Sequence, residues 1–313
     1  MEGIRTETPG VCLQMSRREL LRQAATASAL AAGWGMVSRR AFAQSGPQVR
    51  PLRFVQLSDT HIGYQGEANR DIPGTLRRAL NVIRGLDPAP EFVVVTGDLT
   101  QAAESGAARL KRFRTFREQM DTLHLPVYPV PGEHDALMDR GQLYQKAVGP
   151  LHYRFERAGV QFFALDNVSR GFFVGDAQRQ WIGREIARAD PLAPTVLLTH
   201  APLYDLFVPW NWYTYDAKEV LALFSGFRRL TVLFGHVHQL AGQRGPSVSQ
   251  SAGLSTAWPL PEPDALARLE KWPQSASDPD MGLGLRVIDV ASSGQMAVSN
   301  LLLSHEKQEE AAL

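Results

Sequence analysis

The chain has 313 residues, with 33 Lys and Arg against 32 Asp and Glu, eight His and one Cys. This length suits one large or two ordinary domains of roughly 100–200 residues each, and the balanced charge argues against an extended basic nucleic-acid surface. A single Cys excludes an intramolecular disulfide framework and any Cys-rich zinc or iron–sulfur site, so metal chemistry has to come from His and carboxylates.

The first forty or so residues do not read like the rest. Ser16-Arg17-Arg18-Glu19-Leu20-Leu21-Arg22 precedes an Ala- and Gly-rich apolar stretch from Ala24 to Val37, and Ala41-Phe42-Ala43 offers an A-x-A cleavage site. Charged, apolar and small-residue segments in this order define an export signal, and the paired arginines resemble the twin-arginine type. Residues 1–43 are therefore expected to be a removable leader handled by the twin-arginine export machinery, giving a periplasmic or otherwise exported protein. No stable membrane span is expected after cleavage, because the 14 residues of the apolar stretch fall short of the ~20 that cross a bilayer. The leader takes with it six Arg, three Glu and Cys12, leaving residues 44–313 cysteine-free with a net charge of −2.

Residues 44–313 are expected to form a single domain in which short apolar runs alternate with helical patterns. Leu52–Leu57 reads as a buried strand, Thr75–Gly85 as a helix, Phe92–Val95 as a strand and Ala107–Leu123 as an amphipathic basic helix. Strands follow at Val127–Val130, Tyr153–Phe155 and Val160–Leu165, then a helix at Gln178–Ala189, a strand at Thr195–Leu198, a helix near Ala217–Phe224 and a strand at Leu230–Phe234. Gly284–Val290 and Gln295–Leu303 flank Ala291-Ser292-Ser293-Gly294, a hairpin signal. The order predicts an α/β domain with mixed sheets. The polar, Pro-containing tract 259–279 reads as a surface loop.

The chemistry sits just past the strand ends. The first strand runs into Ser58-Asp59-Thr60-His61, the second into Gly97-Asp98 and the third into Pro131-Gly132-Glu133-His134-Asp135. Two later strands deliver Thr199-His200 and Gly235-His236-Val237-His238, so five of the eight histidines lie where open α/β sheets place their crevices. Asp59 with His61, and His236 with His238, are two apart, a spacing that lets both side chains leave a strand exit on one face and meet one ion. Imidazole with carboxylate suits Mn, Fe, Zn, Ni or Co, whereas an all-oxygen magnesium or calcium site would not use four or five His. The ligands are too many for one ion and match two ions sharing a carboxylate, about 3.5–4 Å apart.

D-x-H, G-D, G-x-H-D, H and G-H-x-H, in this order from Arg53 to Gln239, resemble the calcineurin-like metallophosphoesterase family. In motif style they are most similar to small bacterial cyclic-nucleotide and glycerophosphodiester phosphodiesterases. The resemblance implies a four-layer α-β-β-α sandwich with two mixed sheets and a dinuclear metal site at the strand C-terminal ends. It implies Asp59, His61 and His238 on the first metal, His200 and His236 on the second, Asp98 bridging, and His134 near the leaving group as the catalytic acid. The tyrosinate of purple acid phosphatases is absent, since position 101 is Gln. The family's Asn is Glu133 here, expected as a second-metal ligand that raises the site's anionic charge. Asp135 is expected to orient His134 or its loop. The two ions are expected to be divalent or mixed-valence transition metals, with Fe, Mn or Zn foremost.

The segment 204–215 carries six aromatics and reads either as a packing loop or as a lid, with Trp210 and Trp212 as candidate substrate contacts. The expected reaction is hydrolysis of a small-molecule phosphodiester by a hydroxide shared between the ions, with no nucleic acid as partner. Phosphomonoester hydrolysis on the same site is the alternative, as is a non-catalytic metal-binding or partner-binding protein marked by Glu133.

Overall fold

The computed structural model describes residues 48–304 apart from 267, 272 and 273, so the expected leader lies outside the described residues. Strand β1 (Leu52–Leu57) leads into α1 (Ile72–Arg84), β2 (Val93–Thr96), α2 (Gly106–Asp121) and β3 (Val127–Val130). The short helices α3 (Glu133–Ala136) and α4 (Gln142–Ala147) follow, then β4 (Tyr153–Arg157), β5 (Val160–Ala164), α5 (Asp176–Ile186), β6 (Thr195–Leu198), α6 (Ala217–Leu223) and β7 (Leu230–Phe234). The chain closes with β8 (Gly242–Arg244), β9 (Val248–Ala252), β10 (Gly284–Val290) and β11 (Met296–Leu302).

Two mixed sheets result, in the orders β11-β10-β1-β2-β3 and β4-β5-β6-β7-β9-β8. In each, the central strands run parallel: β1, β2 and β3 in the first, and β5, β6, β7 and β9 in the second. The expected hairpin forms between β10 and β11, with Gly294 at φ 79° closing the turn. Period-2 alternation sends the side chains of β1 to two different layers. Val55 and Leu57 pack with Leu76, Leu80, Phe113 and Phe116 of α1 and α2, while Leu52 and Phe54 meet Phe162, Val196 and Leu233 of the second sheet. On the far side, Phe163, Leu197 and Val232 pack against Ile182 of α5 and Val220 of α6. Three apolar layers between four structural layers make the α-β-β-α sandwich, and the parallel strands bring all their C-terminal ends to one edge.

Helix α1 begins earlier than its apolar period suggests. Asp71 caps it by accepting from Gly74 N, and Pro73 occupies the first turn, where a missing N–H costs nothing. The tract 259–279 is mostly exposed but tethered at both ends: Leu260 and Pro261 are buried, and Asp280 pairs with Arg78 at 2.5 Å. No helix among the described residues is long and apolar enough to cross a membrane.

Candidate metal centre

Every sequence-predicted ligand lies at the shared edge. Asp59 and His61 follow β1, Asp98 follows β2, Glu133 and His134 open α3 after β3, His200 follows β6, and His236 and His238 follow β7. The first sheet thus supplies the carboxylates and the second most of the imidazoles. Asp59, His61, Asp98, His236 and His238 all adopt left-handed backbone conformations, with φ between 42° and 68°. Non-glycine residues rarely do so, and such strain persists where the surroundings over-determine it, commonly at functional sites. Gly97, at φ 90°, is needed for a second reason: a Cβ there would collide with the His200 ring. At Gly132 a Cβ would strike the Asp98 carboxylate, so only glycine lets the β3 exit approach the site this closely.

Ligand atoms of Asp59, His61 and His238 lie within 4.8 Å of one another, as do those of Glu133, His200 and His236. Asp98 belongs with both groups, its Oδ2 standing 3.4 Å from His61 Nε2, 3.6 Å from His200 Nε2 and 3.9 Å from His134 Nε2. The outer nitrogen of each imidazole faces an acceptor. His61 Nδ1 donates to Gln101 Oε1 (3.0 Å), His200 Nδ1 to Thr96 O (2.7 Å), His238 Nδ1 to Trp258 O (2.7 Å) and His236 Nε2 to Asn211 O (3.2 Å). With the hydrogen on the outer nitrogen, the inner nitrogen of each ring presents a lone pair, the tautomer a metal requires.

Those inner atoms crowd one another in a way that only a cation or an added proton relieves. His61 Nε2 and His238 Nε2 are 3.1 Å apart. His200 Nε2 and Glu133 Oε2 are 2.6 Å apart and buried, yet neither has an aligned hydrogen-bond partner. The donor set therefore fits two transition-metal ions: nitrogen and oxygen donors with no sulfur, converging as two groups. The carboxylates and imidazoles shift one another's titration. Burial opposes a charge on His200, but Asp98 and Glu133 outweigh it and hold its imidazole well above the usual range. Burial likewise opposes charge on Glu133, yet His236 and His200 pull its carboxyl well below the usual range. His61, by contrast, is pushed well down by burial and by the neighbouring imidazoles of His238 and His134.

Asp135 is not among the converging groups of ligand atoms. Its carboxylate accepts from Leu99 N, Thr100 N, Thr100 Oγ1 and Gly132 N at 2.9–3.0 Å, tying the β2 and β3 exits together. Burial and the nearby Asp98 charge push its carboxyl up to about 7. His134 stays partly open, its side chain 30% exposed, and its backbone N–H donates to Asp98 Oδ1 at 2.9 Å. Gln101, Thr96, Asn211 and Trp258 were not singled out as ring-orienting residues by sequence. Three of them act through backbone carbonyls, which every residue has, so no side-chain signal marks them.

Trp210 and Trp212 do not line the site as candidate substrate contacts should. Trp212 is fully buried and Trp210 is 8% exposed, both within the apolar layer that holds Phe234 and Val237. The two rings meet edge-on at 5.1 Å. Within segment 204–215, Trp210, Trp212, Tyr213 and Thr214 are buried, while Asp205, Val208, Pro209, Asn211 and Tyr215 are exposed.

The calcineurin-like phosphoesterase profile matches residues 52–240, which cover every candidate ligand and more than half of the chain. The chain belongs to the calcineurin-like phosphoesterase family. It is 36% identical over 197 residues to the Arcobacter nitrofigilis protein named "Probable glycerophosphodiester phosphodiesterase GpdQ", covering 59% of this chain and 67% of that one. It is 25% identical over 224 residues to the mouse serine/threonine-protein phosphatase CPPED1, covering 61% of this chain and 71% of that one. Its fold is similar to a purple acid phosphatase from yellow lupin (TM-score 0.62, 13% identity, 85% of this chain and 54% of that one). A dimetal phosphatase from Danio rerio is similar too (TM-score 0.59, 13% identity, 80% of this chain and 96% of that one). As a member of this family, the protein is a metal-dependent hydrolase.

Proposed function

We propose that the protein is an exported phosphodiesterase. In this reading Asp59, His61 and His238 would hold one cation and Glu133, His200 and His236 the other, with Asp98 available to both. The observation that carries it is the set of four imidazoles whose outer hydrogens are engaged and whose inner lone pairs converge on three carboxylates. Two cations held there, drawn from Fe, Mn or Zn, would supply Lewis acidity toward phosphoryl oxygens and water.

The chain's own residues then divide the remaining work. Gln101 Nε2 donates to His134 Nδ1 at 3.2 Å, which leaves the hydrogen of a neutral ring on Nε2, the atom that faces Asp98 and the site. His134 is thereby poised to give that proton to a departing alkoxide. The same amide group orients His61 through its oxygen, so one side chain fixes the tautomers of a ligand and of the acid. Asp135 acts through the backbone, holding the loops that carry Asp98 and His134.

The diester preference draws support from the motif style and from the relative named as a glycerophosphodiester phosphodiesterase. The relative named as a protein phosphatase favours monoester hydrolysis as the second reading. Comparing bis-p-nitrophenyl phosphate with p-nitrophenyl phosphate on Mn-, Zn- and Fe-loaded protein separates the two. A higher kcat/KM for the diester is expected, and a clear monoester preference would reject it. Export rests on the paired-arginine leader; N-terminal sequencing of the periplasmic product should read Gln44 first.

A further inference from the structure

The flank of the site beyond His236 is built from two loops locked into one wall. Phe172, in a left-handed conformation at φ 57°, places its ring 5.1 Å from the His236 ring. Its carbonyl accepts from Tyr215 N at 2.9 Å, and Asp216 next door accepts from Val174 N and Gly175 N at 2.8 Å and pairs with Arg179. Asn211, in the same second loop, accepts from His236 at 3.2 Å. The wall is therefore fixed directly to a candidate metal ligand. It nonetheless leaves apolar surface uncovered: Phe173 is 38% exposed, Val208 52% and Tyr215 68%. Apolar exposure on loops tied to a candidate metal ligand suits a contact surface.

Building on the phosphoester reading above, we infer that Phe172 and Tyr215 determine specificity, by giving the substrate's organic group an apolar wall. The favoured substrates are phosphoesters whose group on this flank is aryl or alkyl rather than a small polar alcohol. Phe172 needs to be neither acid nor ligand: an aromatic face gains from burying an apolar group wherever the phosphoryl centre is held by the cations.

Binding of non-hydrolysable analogues tests this without relying on turnover. Calorimetric titration of Mn-loaded protein with phenylphosphonate and methylphosphonate, both as dianions, compares ligands that differ only in the group offered to the wall. Phenylphosphonate should bind about tenfold tighter. That ratio should fall toward one in Phe172→Asn, which tolerates the left-handed backbone, and in Tyr215→Ser, whose exposed side chain can change while its N–H still bonds Phe172. Equal affinities in the wild type, or an undiminished ratio in both variants, would overturn the inference and leave the phosphoesterase reading standing. Failure of both phosphonates to bind would reject both.

Discussion

The Nε2 atoms of His61 and His238 face each other at 3.1 Å while their Nδ1 atoms donate outward to Gln101 and Trp258. Two neutral rings so arranged repel, and a cation held by both would relieve the repulsion. Metal should therefore stabilise the fold markedly. At a free concentration one hundred times Kd the gain is about 2.7 kcal/mol, which for a chain of this size corresponds to a Tm rise of roughly 4–5 °C. Scanning calorimetry of chelated and Mn-loaded protein measures it, and coincident melting curves would argue against a structural role for the ion.

Glu133 touches both imidazoles of the second group, at 2.6 Å to His200 and 3.0 Å to His236. Glu133→Ala is expected to lose about one of two metal equivalents and at least a hundredfold in kcat/KM, since removal of mere supporting partners already costs 10–100-fold. Glu133→Asn keeps an oxygen donor but removes a charge, so it should keep both equivalents and raise kcat if the extra carboxylate blunts Lewis acidity. Elemental analysis beside steady-state rates decides; unchanged stoichiometry in both variants would put Glu133 outside the ligand set.

His134→Ala should discriminate between leaving groups. With an alkyl leaving group, a loss of about 10²–10⁴ in kcat is expected, the usual worth of a positioned acid. With p-nitrophenolate, which departs without a proton, the loss should be under about tenfold. Gln101→Leu should mimic part of this effect by freeing the His134 tautomer, visible as a shifted acid–base limb in the pH–rate profile. Equal losses for both leaving groups would assign His134 to binding instead.

Much of this arrangement was legible in the chain. Strands Leu230–Phe234 and Gly284–Val290 start and stop where their apolar runs do, and the ligand residues announce themselves because few side chains coordinate metals. Strands β8 and β9 leave little trace because Gly242–Arg244 and Val248–Ala252 are largely polar, with no continuous apolar run. Helix α3 spans only Glu133–Ala136, too short for any periodicity. The aromatic segment misled in its details, since composition cannot tell which rings turn inward. Trp212 is buried and Tyr215 exposed, a difference set by tertiary packing alone.

Asp139 offers a pH test away from the metals. It accepts from both Arg109 guanidinium nitrogens at 2.9 and 3.1 Å and from Gly141 N and Leu143 N at 3.1 Å. Burial works against the charge, but these partners hold its carboxyl below the usual value of 3.8. Because the folded value is depressed, the contribution is present above about pH 4 and lost as pH falls through the folded value. Asp139→Asn should cost about 1–2 kcal/mol near neutrality. In urea titrations the gap between wild type and variant should narrow below pH 4, and a gap independent of pH would refute the charge's role.

Each ligand group draws on both halves of the chain: Asp59 and His61 with His238, and Glu133 with His200 and His236. The acids and bases of the reaction are thus assembled only when the two sheets close on each other, with β10 and β11 returning to complete the first. Catalysis is consequently a clock for the last stage of folding. During refolding, strand and helix signals should recover first, and phosphoester hydrolysis should lag until the sandwich has shut.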